Sequence, residues 1–537
     1  VLFVDEQIYK ELPEFIVATV DKFAMMPWRG EAGMLFGRAT HLDDLRAYGV
    51  MHDPPKGARP LPHGLYPPEL IVQDELHLIS GPLGTMVGLY ETAIDFLSAR
   101  EVDGVRRAPK IVCSTATARR AREQIRALFD REMALFPPRG VDDGDNFFAK
   151  VDHKKPGRLY VGVAAPGRAL RAVVVRTYAT VLAAAQRHFD PKGPLDQPAD
   201  PYMTLVGYFN ALRELGGMRR LVEDEVKTRV RSFAEGKKPH HHVGPHPWAA
   251  SRKLDLPAEL TSREPNDRVK ETKRRLATRR AVRDADKSAE PLDVVLASNM
   301  ISVGLDVDRL GLMVVAGQPK TTSEYIQATS RVGRAYPGLV LTCLNASRPR
   351  DRSHYERFVA YHESFYREVE ATSVTPFSLQ TLDRGLVGTL IAMIRHGLLD
   401  MQPPRGFMRL HQHRRLADDI LKVLVARASR HREWHDKTAE QRIEDELRAR
   451  GSSFLDAWER ITVRASRGGD SLDGGAAQRI YSDLDRAKHE GKPVMYYPTD
   501  DPPDDQDERR FVAPTSMRDV EPNTHIWLRF AHLDERR

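Results

Sequence analysis

The chain repeats one local grammar: a short apolar run breaks off at a polar cluster, and a segment with helical spacing follows. Leu70-Ile71-Val72 stops at Gln73-Asp74-Glu75, and Ile111-Val112-Cys113 stops at Ser114-Thr115-Ala116-Thr117. Residues 203–208, 292–297, 311–316 and 339–344 read as further strands of this kind. Apolar runs separated by helical segments mark strands buried on both faces, and hence parallel βαβ units. After the first run, Met86, Leu89, Ala93 and Phe96 fall at helical spacing. Thr321 and Glu324 stand at capping-box spacing ahead of another helix, and Asn210 is placed to cap the helix after 208. Open parallel sheets keep their chemistry just past the strand ends, so the polar clusters are where a site is expected.

Two α/β units are therefore expected, 1–150 and 151–370, the second interrupted at 233–290 by a polar stretch that reads as an insertion or linker. Beyond 371 the strand signal fades into a mainly helical accessory region. There Leu416, Ile420 and Leu424 share one face of a basic helix, and 437–462 is a second charged helix. Residues 499–510, with six acidic and two basic side chains, read as a solvated loop. A chain of 537 residues can bury more than one core, and 41% hydrophobic with 29% charged residues excludes wholesale disorder. No apolar run of about 18 residues occurs, so no membrane contact is expected. Two cysteines, Cys113 and Cys343, exclude a disulfide scaffold and a four-cysteine zinc module, and they fit a reducing cytoplasm. Both fall in expected strands as small core residues.

Asp74 and Glu75 follow an apolar strand directly. Nucleotide hydrolysis needs one carboxylate to hold magnesium on the phosphates and a second to orient the attacking water, and this pair supplies both. A solvated acidic turn is the plain alternative. Gln327-Ala328-Thr329-Ser330-Arg331-Val332-Gly333-Arg334 places two arginines three apart, on one face if the helix runs through them. Such a pair can meet a phosphate; it can equally be a basic helix end.

Order strengthens the case. ATVDKF (18–23), QDELH (73–77), STAT (114–117), LVGYFN (205–210), ASNMISVGLDV (297–307) and QATSRVGR (327–334) follow one another along the chain. Over roughly 1–370 this series resembles the superfamily 2 helicases, of the DExH type. The phrases IVQDELHLISGPLGTMVGLYE and PTSMRDVEP are most similar to the helicases of DISARM anti-phage systems. The resemblance implies two RecA-like domains, the first incomplete here, that use ATP and Mg2+ on nucleic acid, DNA favoured, with other defence proteins as partners. It implies that Asp74 contacts the metal through water, that Glu75 is the catalytic carboxylate, and that His77 couples the nucleotide to the second domain. Gln327, Arg331 and Arg334 would reach the phosphates, and Gly304 and Asp306 would lie in a loop facing nucleotide and strand. Ser114 and Thr117 would link hydrolysis to grip, while Thr19, Asp21, Lys22 and Ser298 would touch the nucleic-acid backbone.

The chain also departs from the family. Ala328 and Ser330 stand where many relatives carry Arg and Gly, and no G-x-x-x-x-G-K-[ST] phosphate loop occurs. The glycines of GPLGTM (81–86) have neither the lysine nor the preceding strand. Together with a first residue that is Val1, this reads as a fragment expected to hydrolyse ATP poorly alone. A non-catalytic scaffold and a split helicase subunit are the alternatives. Lys and Arg number 82 against 75 acidic residues, a net +7 that permits an anionic partner. Of that excess, +4 falls in 261–290, as either a nucleic-acid contact or a solvated helix face. Arg414, Arg415, Arg427, Arg430 and Arg432, with Trp434, form a possible backbone-tracking face or an ordinary surface. His240, His241, His242 and His246 read as a polar loop rather than a metal site, and Glu490-Gly491-Lys492 as a turn.

Overall fold

The computed structural model describes residues 2–44, 46–115, 121–138, 145–148, 150–152, 154–194, 196–235, 246–261, 263–280, 290–298, 307–364, 366–370, 373–431, 437–466, 479–481, 493–498 and 503–518. The chain forms two compact units, Val1–Leu135 with Ala371–Arg537, and Phe136–Glu370. Among the described residues no helix is long and apolar enough to cross a membrane.

In the first unit, β1 (Leu70–Gln73) and β2 (Lys110–Cys113) pair in parallel, Leu70 opposite Lys110 and Gln73 opposite Cys113. The helix Gly81–Ser98 buries Met86, Leu89 and Ala93 completely, as the spacing predicts, and Tyr90 with them, whereas Phe96 is only partly buried. It crosses the helix Leu379–Gly397 closely: a Cβ at Gly385 would stand 2.6 Å from Met86 Sδ, and one at Gly388 2.3 Å from Tyr90 Oη. The helices Leu410–Arg430 and Lys437–Ser466 pack beside it, around Phe407, Phe454, Leu455 and Trp458. One apolar cluster thus runs from Ala24 through the Gly81–Ser98 helix to Met517. Buried residues from Val374 to Met517 share a core with the carboxylate-bearing sheet, whose Ile71, Ile111 and Cys113 pack against it.

Buried polar groups stitch the same unit. Arg395 donates to the carbonyls of Pro27 (2.8 Å) and Gln402 (2.9 Å), with its guanidinium 4.2 Å from the Tyr481 ring centroid. His396 Nε2 lies 2.8 Å from Met26 O. Burial lowers both groups, Arg395 to about 10 and His396 to about 3.

The second unit is built on one parallel sheet. Its strands are β3 (Arg158–Ala164), β4 (Leu205–Phe209), β5 (Ala258–Leu260), β6 (Val294–Ala297), β7 (Leu312–Ala316) and β8 (Gly338–Leu344), in the spatial order β5-β6-β4-β7-β8-β3. Every pair is parallel, with Leu205 of the central β4 opposite both Val294 and Leu312. β4, β6 and β7 are buried at every position, which is why their sequences are continuous apolar runs rather than alternating ones. Two apolar clusters cover the two faces of the sheet. With the mainly helical region of the first unit, this is the expected α/β, RecA-like architecture.

Several local expectations shift. The polar stretch 233–290 contributes edge strand β5 and the helix Asn266–Ala277, and Arg252 within it is buried against Asp293 at 2.5 Å. β5 is only three residues, one of them Glu259, so no apolar run announces it. Asn210 does not cap the next helix, whose N-cap Ala211 lacks a side-chain bond; its amide instead faces the carbonyls of 316–318 at 3.3–3.4 Å. Leu416 is 47% exposed, because the helix turns Ala417, Ile420, Leu421 and Leu424 inward. Cys343 is buried, but Cys113 is only half-buried. The acidic loop is pinned where it is described: Asp507 accepts from Arg460 (2.7 Å) and Arg464 (3.0 Å). Residues 499–502 lie outside the described residues.

Candidate functional site

The carboxylate pair sits on the turn that ends β1. Asp74 is exposed and Glu75 half-exposed, so both are open to solvent. Glu75 adopts φ 51° and ψ 48°, a left-handed conformation that costs a non-glycine residue about 1–2 kcal/mol. Strain of this kind persists where the surroundings over-determine it, and here the end of β2 does so. Ser114 N donates to Gln73 O (3.0 Å), and Leu76 N to Ser114 O (2.8 Å). Ser114 Oγ donates to Asp74 Oδ1, which also accepts from Glu75 N at 2.9 Å. Glu75 N stands 3.3 Å from Ser114 Oγ as well. Gln124 completes the cradle, donating to the carbonyls of Leu76 (3.0 Å) and Ile79 (2.7 Å).

His77 is 8% exposed, with Nδ1 3.5 Å from both Glu75 Oε2 and Thr115 Oγ1. Three expected site residues of the first unit, Asp74, Glu75 and His77, are thus brought together with Ser114. Thr117 lies outside the described residues. The donor set suits magnesium held on phosphates: hard carboxylate oxygens, few in number and open to solvent, as Mg2+ prefers when it keeps several waters. The glycines of 81–86 are helical, not a phosphate cradle; a Cβ at Gly84 would meet Ile79 O at 2.7 Å. Among the described residues no group of three or more His, Cys, Asp or Glu forms an all-protein metal site, and His240, His241 and His242 lie outside them.

In the second unit the helix Thr322–Thr329 opens as the spacing predicts, Thr321 Oγ1 accepting from Glu324 N at 3.2 Å. The Glu324 carboxylate accepts from Tyr208 Oη at 2.5 Å, tying the helix to β4. Gln327 is buried on this helix. The arginines, however, do not share a helix face. The helix ends at Thr329, and Arg331 and Arg334 belong to the following loop, half-buried and exposed respectively. Gly333 causes the turn: its φ is 75°, and a Cβ there would stand 2.7 Å from Gly338 Cα. The loop is anchored by Gly333 N to Leu310 O (2.8 Å) and Arg158 Nε to Val332 O (2.9 Å).

Ser298 is buried at the end of β6, beside β4, where the order of strands reverses; Gly304 and Asp306 lie outside the described residues. Two residues at the strand ends escaped sequence reasoning. Asp351 accepts from Gln318 N (3.3 Å) and Asn345 N (2.9 Å), joining the ends of β7 and β8, and Glu370 accepts from Thr322 N at 2.8 Å. Neither lies in a motif, so no local signal marks them.

At the start of the chain Thr19 is exposed, Lys22 pairs with Asp5 at 2.8 Å, and Asp21 accepts from Ser516 Oγ at 2.9 Å. Of the basic face beyond 410, Arg414, Arg427 and Arg430 are engaged internally, while Arg415 is exposed. Arg414 pairs with Asp418, Asp456 and Glu459; Arg427 is buried and donates to Leu128 O; Arg430 pairs with Asp130. Arg432 and Trp434 lie outside the described residues, as does Glu490-Gly491-Lys492. In the basic stretch 261–290, Arg263 pairs with Glu259, Arg268 with Glu264 and Arg274 with Glu271, and residues 281–289 lie outside the described residues.

Residues 260–336 match the family described as helicase conserved C-terminal domain, which spans β6, β7 and the arginine loop. The DISARM protein DrmA of Bacillus paralicheniformis is 43% identical over 405 residues, which are 74% of this chain and 35% of DrmA. The chain therefore spans about a third of the length of that curated relative. Among solved structures, the DUF1998 helicase MrfA bound to DNA aligns with a TM-score of 0.45 at 16% identity, over 72% of this chain and 42% of that one. The Mycobacterium smegmatis helicase Lhr bound to ssDNA and AMP-PNP aligns with a TM-score of 0.40 at 13% identity, over 72% and 40%. The chain is thus similar to DrmA over about three quarters of its own length, and its residues 260–336 carry a helicase conserved C-terminal domain.

Proposed function

We propose that this chain is part of an ATP-dependent DNA helicase or translocase acting in DISARM-type anti-phage defence. The observation that carries the proposal is the turn at Asp74-Glu75: two solvent-open carboxylates, one residue strained into the left-handed region, and Ser114 of the neighbouring strand bonded to Asp74. Strain of this kind is held in place by the surrounding structure, here by the end of the neighbouring strand.

Asp74 would hold the magnesium that neutralises phosphate charge. Glu75 would accept the proton of the attacking water, with His77 behind it. Arg331 and Arg334 would stabilise phosphate charge, the task their loop position suits better than a helix face, with Gln327 beside them. Because Ser114 touches Asp74, a change at the phosphates would reach the end of β2, the segment that the family uses to grip nucleic acid. Gripping through phosphates predicts strong salt dependence and little sequence preference.

The test is Glu75→Gln in a polypeptide of DrmA-like length that supplies a phosphate loop. Magnesium-dependent, DNA-stimulated phosphate release should fall by about 10²- to 10⁴-fold while a fluorescent ATP analogue still binds. Unchanged release would reject the role of Glu75. DNA binding without any hydrolysis in the unsubstituted protein would favour a non-catalytic scaffold.

A further inference from the structure

Asp21 is an awkward residue for a segment that meets a phosphate backbone, since a bare carboxylate repels one. The structure removes the difficulty from the far end of the chain. Asp21 Oδ1 accepts from Ser516 Oγ at 2.9 Å and from Met517 N at 3.0 Å, and Arg518 Nε stands 3.6 Å from Oδ2. Ser516 Oγ also accepts from Arg518 N at 3.1 Å, so the loop closes on itself around the carboxylate.

The loop is held in place independently. Trp28 Nε1 donates to Pro514 O at 3.0 Å, Trp28 stacks on Tyr497 at 4.5 Å, and Ala513 and Met517 are buried in the unit's core. Outside, the two cations are the most exposed of these charges: the Arg518 side chain is 75% exposed and that of Lys22 57%, against 42% for Asp5 and 32% for Asp21. Lys22 is paired with Asp5, but an exposed pair of this kind is worth only about 0–1 kcal/mol, so the ammonium can exchange that partner for a phosphate at little cost.

We infer that the loop Pro514–Arg518 neutralises Asp21 and that Arg518, with Lys22, forms a two-cation contact for the phosphate backbone of single-stranded DNA. The inference rests on the proposed reading of residues 19–22 as a nucleic-acid contact, and it adds a residue from outside the motif series together with a reason for the phrase PTSMR.

The probe is a fluorescent single-stranded oligonucleotide, titrated with the chain at several salt concentrations. Arg518→Ala should weaken binding several-fold and reduce the slope of log affinity against log salt by about 0.7, the value of one lost phosphate contact on a single strand. The thermal midpoint should not move. Adding Asp21→Asn to Arg518→Ala should recover part of the affinity, because asparagine keeps an oxygen for Ser516 and Met517 but removes the charge. If the unsubstituted chain binds DNA while Arg518→Ala matches it in affinity and slope, the inference is overturned alone. Weakened binding with a lowered midpoint also overturns it, because Arg518 would then be structural. Absence of recovery by Asp21→Asn overturns the neutralising role. An unsubstituted chain that binds no single-stranded DNA overturns both the inference and the reading beneath it.

Discussion

The two parallel sheets obey the same sequence grammar and end in opposite environments. In the second unit β4, β6 and β7 are buried at every position, with neighbours on both edges and apolar clusters on both faces. In the first unit, among the described residues, β1 and β2 pair only with each other, and Leu70, Val72 and Val112 are 57%, 60% and 47% exposed. Apolar β-branched residues therefore do different work in the two places. In the second unit they carry stability. In the first, stability comes from the helical cluster around Trp28, Tyr90, Phe407 and Trp458, and the strands mainly present the carboxylate turn.

The comparison is sharpest when the same substitution is made on both sheets. Val314→Ala, at a fully buried position of β7, should cost the second unit about 2–3 kcal/mol, from lost transfer energy plus a cavity. Unit-resolved hydrogen exchange is the measurement, since two compact units need not unfold together. Gly333→Ala should cost about 1–2 kcal/mol from the left-handed backbone alone, plus the clash with Gly338, and should displace the arginine loop while leaving β1 and β2 untouched. A cost confined to the first unit would break the assignment.

A pH series separates the units by another route. Burial lowers His396 from 6.5 to about 3, so below pH 6.5 the unfolded chain takes up a proton that the folded one refuses, and stability falls as pH falls. Burial raises Glu91 from 4.5 to about 7, so between those values the folded chain keeps a proton that the unfolded one loses, and stability falls as pH rises. Between pH 4.5 and 6.5 the two effects oppose each other in the first unit. Glu91→Gln should unmask the histidine, giving a first-unit stability that rises by up to about 1.4 kcal/mol per pH unit across that window. A profile as flat as that of the unsubstituted chain would contradict the pairing. The smallest effect should come from Val72→Ala, the counterpart of Val314→Ala, at no more than about 0.5 kcal/mol on its 60% exposed position.

Strands β4, β6 and β7 were legible because burial on both faces leaves a continuous apolar run, whereas β3, only partly buried at the sheet edge, was not read as a strand; the cap at Thr321 was legible because capping is a local contact. The carboxylate turn was legible for the same reason, as polar residues cut off an apolar run. Three further features were not. β5 is three residues long and half polar in character, so nothing local separates it from a linker. The arginines at 331 and 334 look helical by spacing, but the helix ends at Thr329 and the loop beyond it is anchored from distant segments, Gly333 N on Leu310 O and Arg158 Nε on Val332 O. Arg414, Arg427 and Arg430 look like part of a docking face until their partners Asp456, Glu459, Leu128 and Asp130 arrive from other elements.

By itself the sequence determined most of the parallel strands, though not β3 or β5, the polar clusters that end them, and an order of motifs that resembles the superfamily 2 helicases. Those properties depend on periodicity and on neighbours a few residues apart. Only the tertiary structure decided that described residues beyond 371 share one core with the carboxylate sheet, that Ser114 holds the Asp74-Glu75 turn in its strained form, and that a loop at 514–518 closes over Asp21. Each of these joins residues distant in the chain, and the free energy that selects such contacts comes from burial and from pairing polar groups across elements, which no local pattern records.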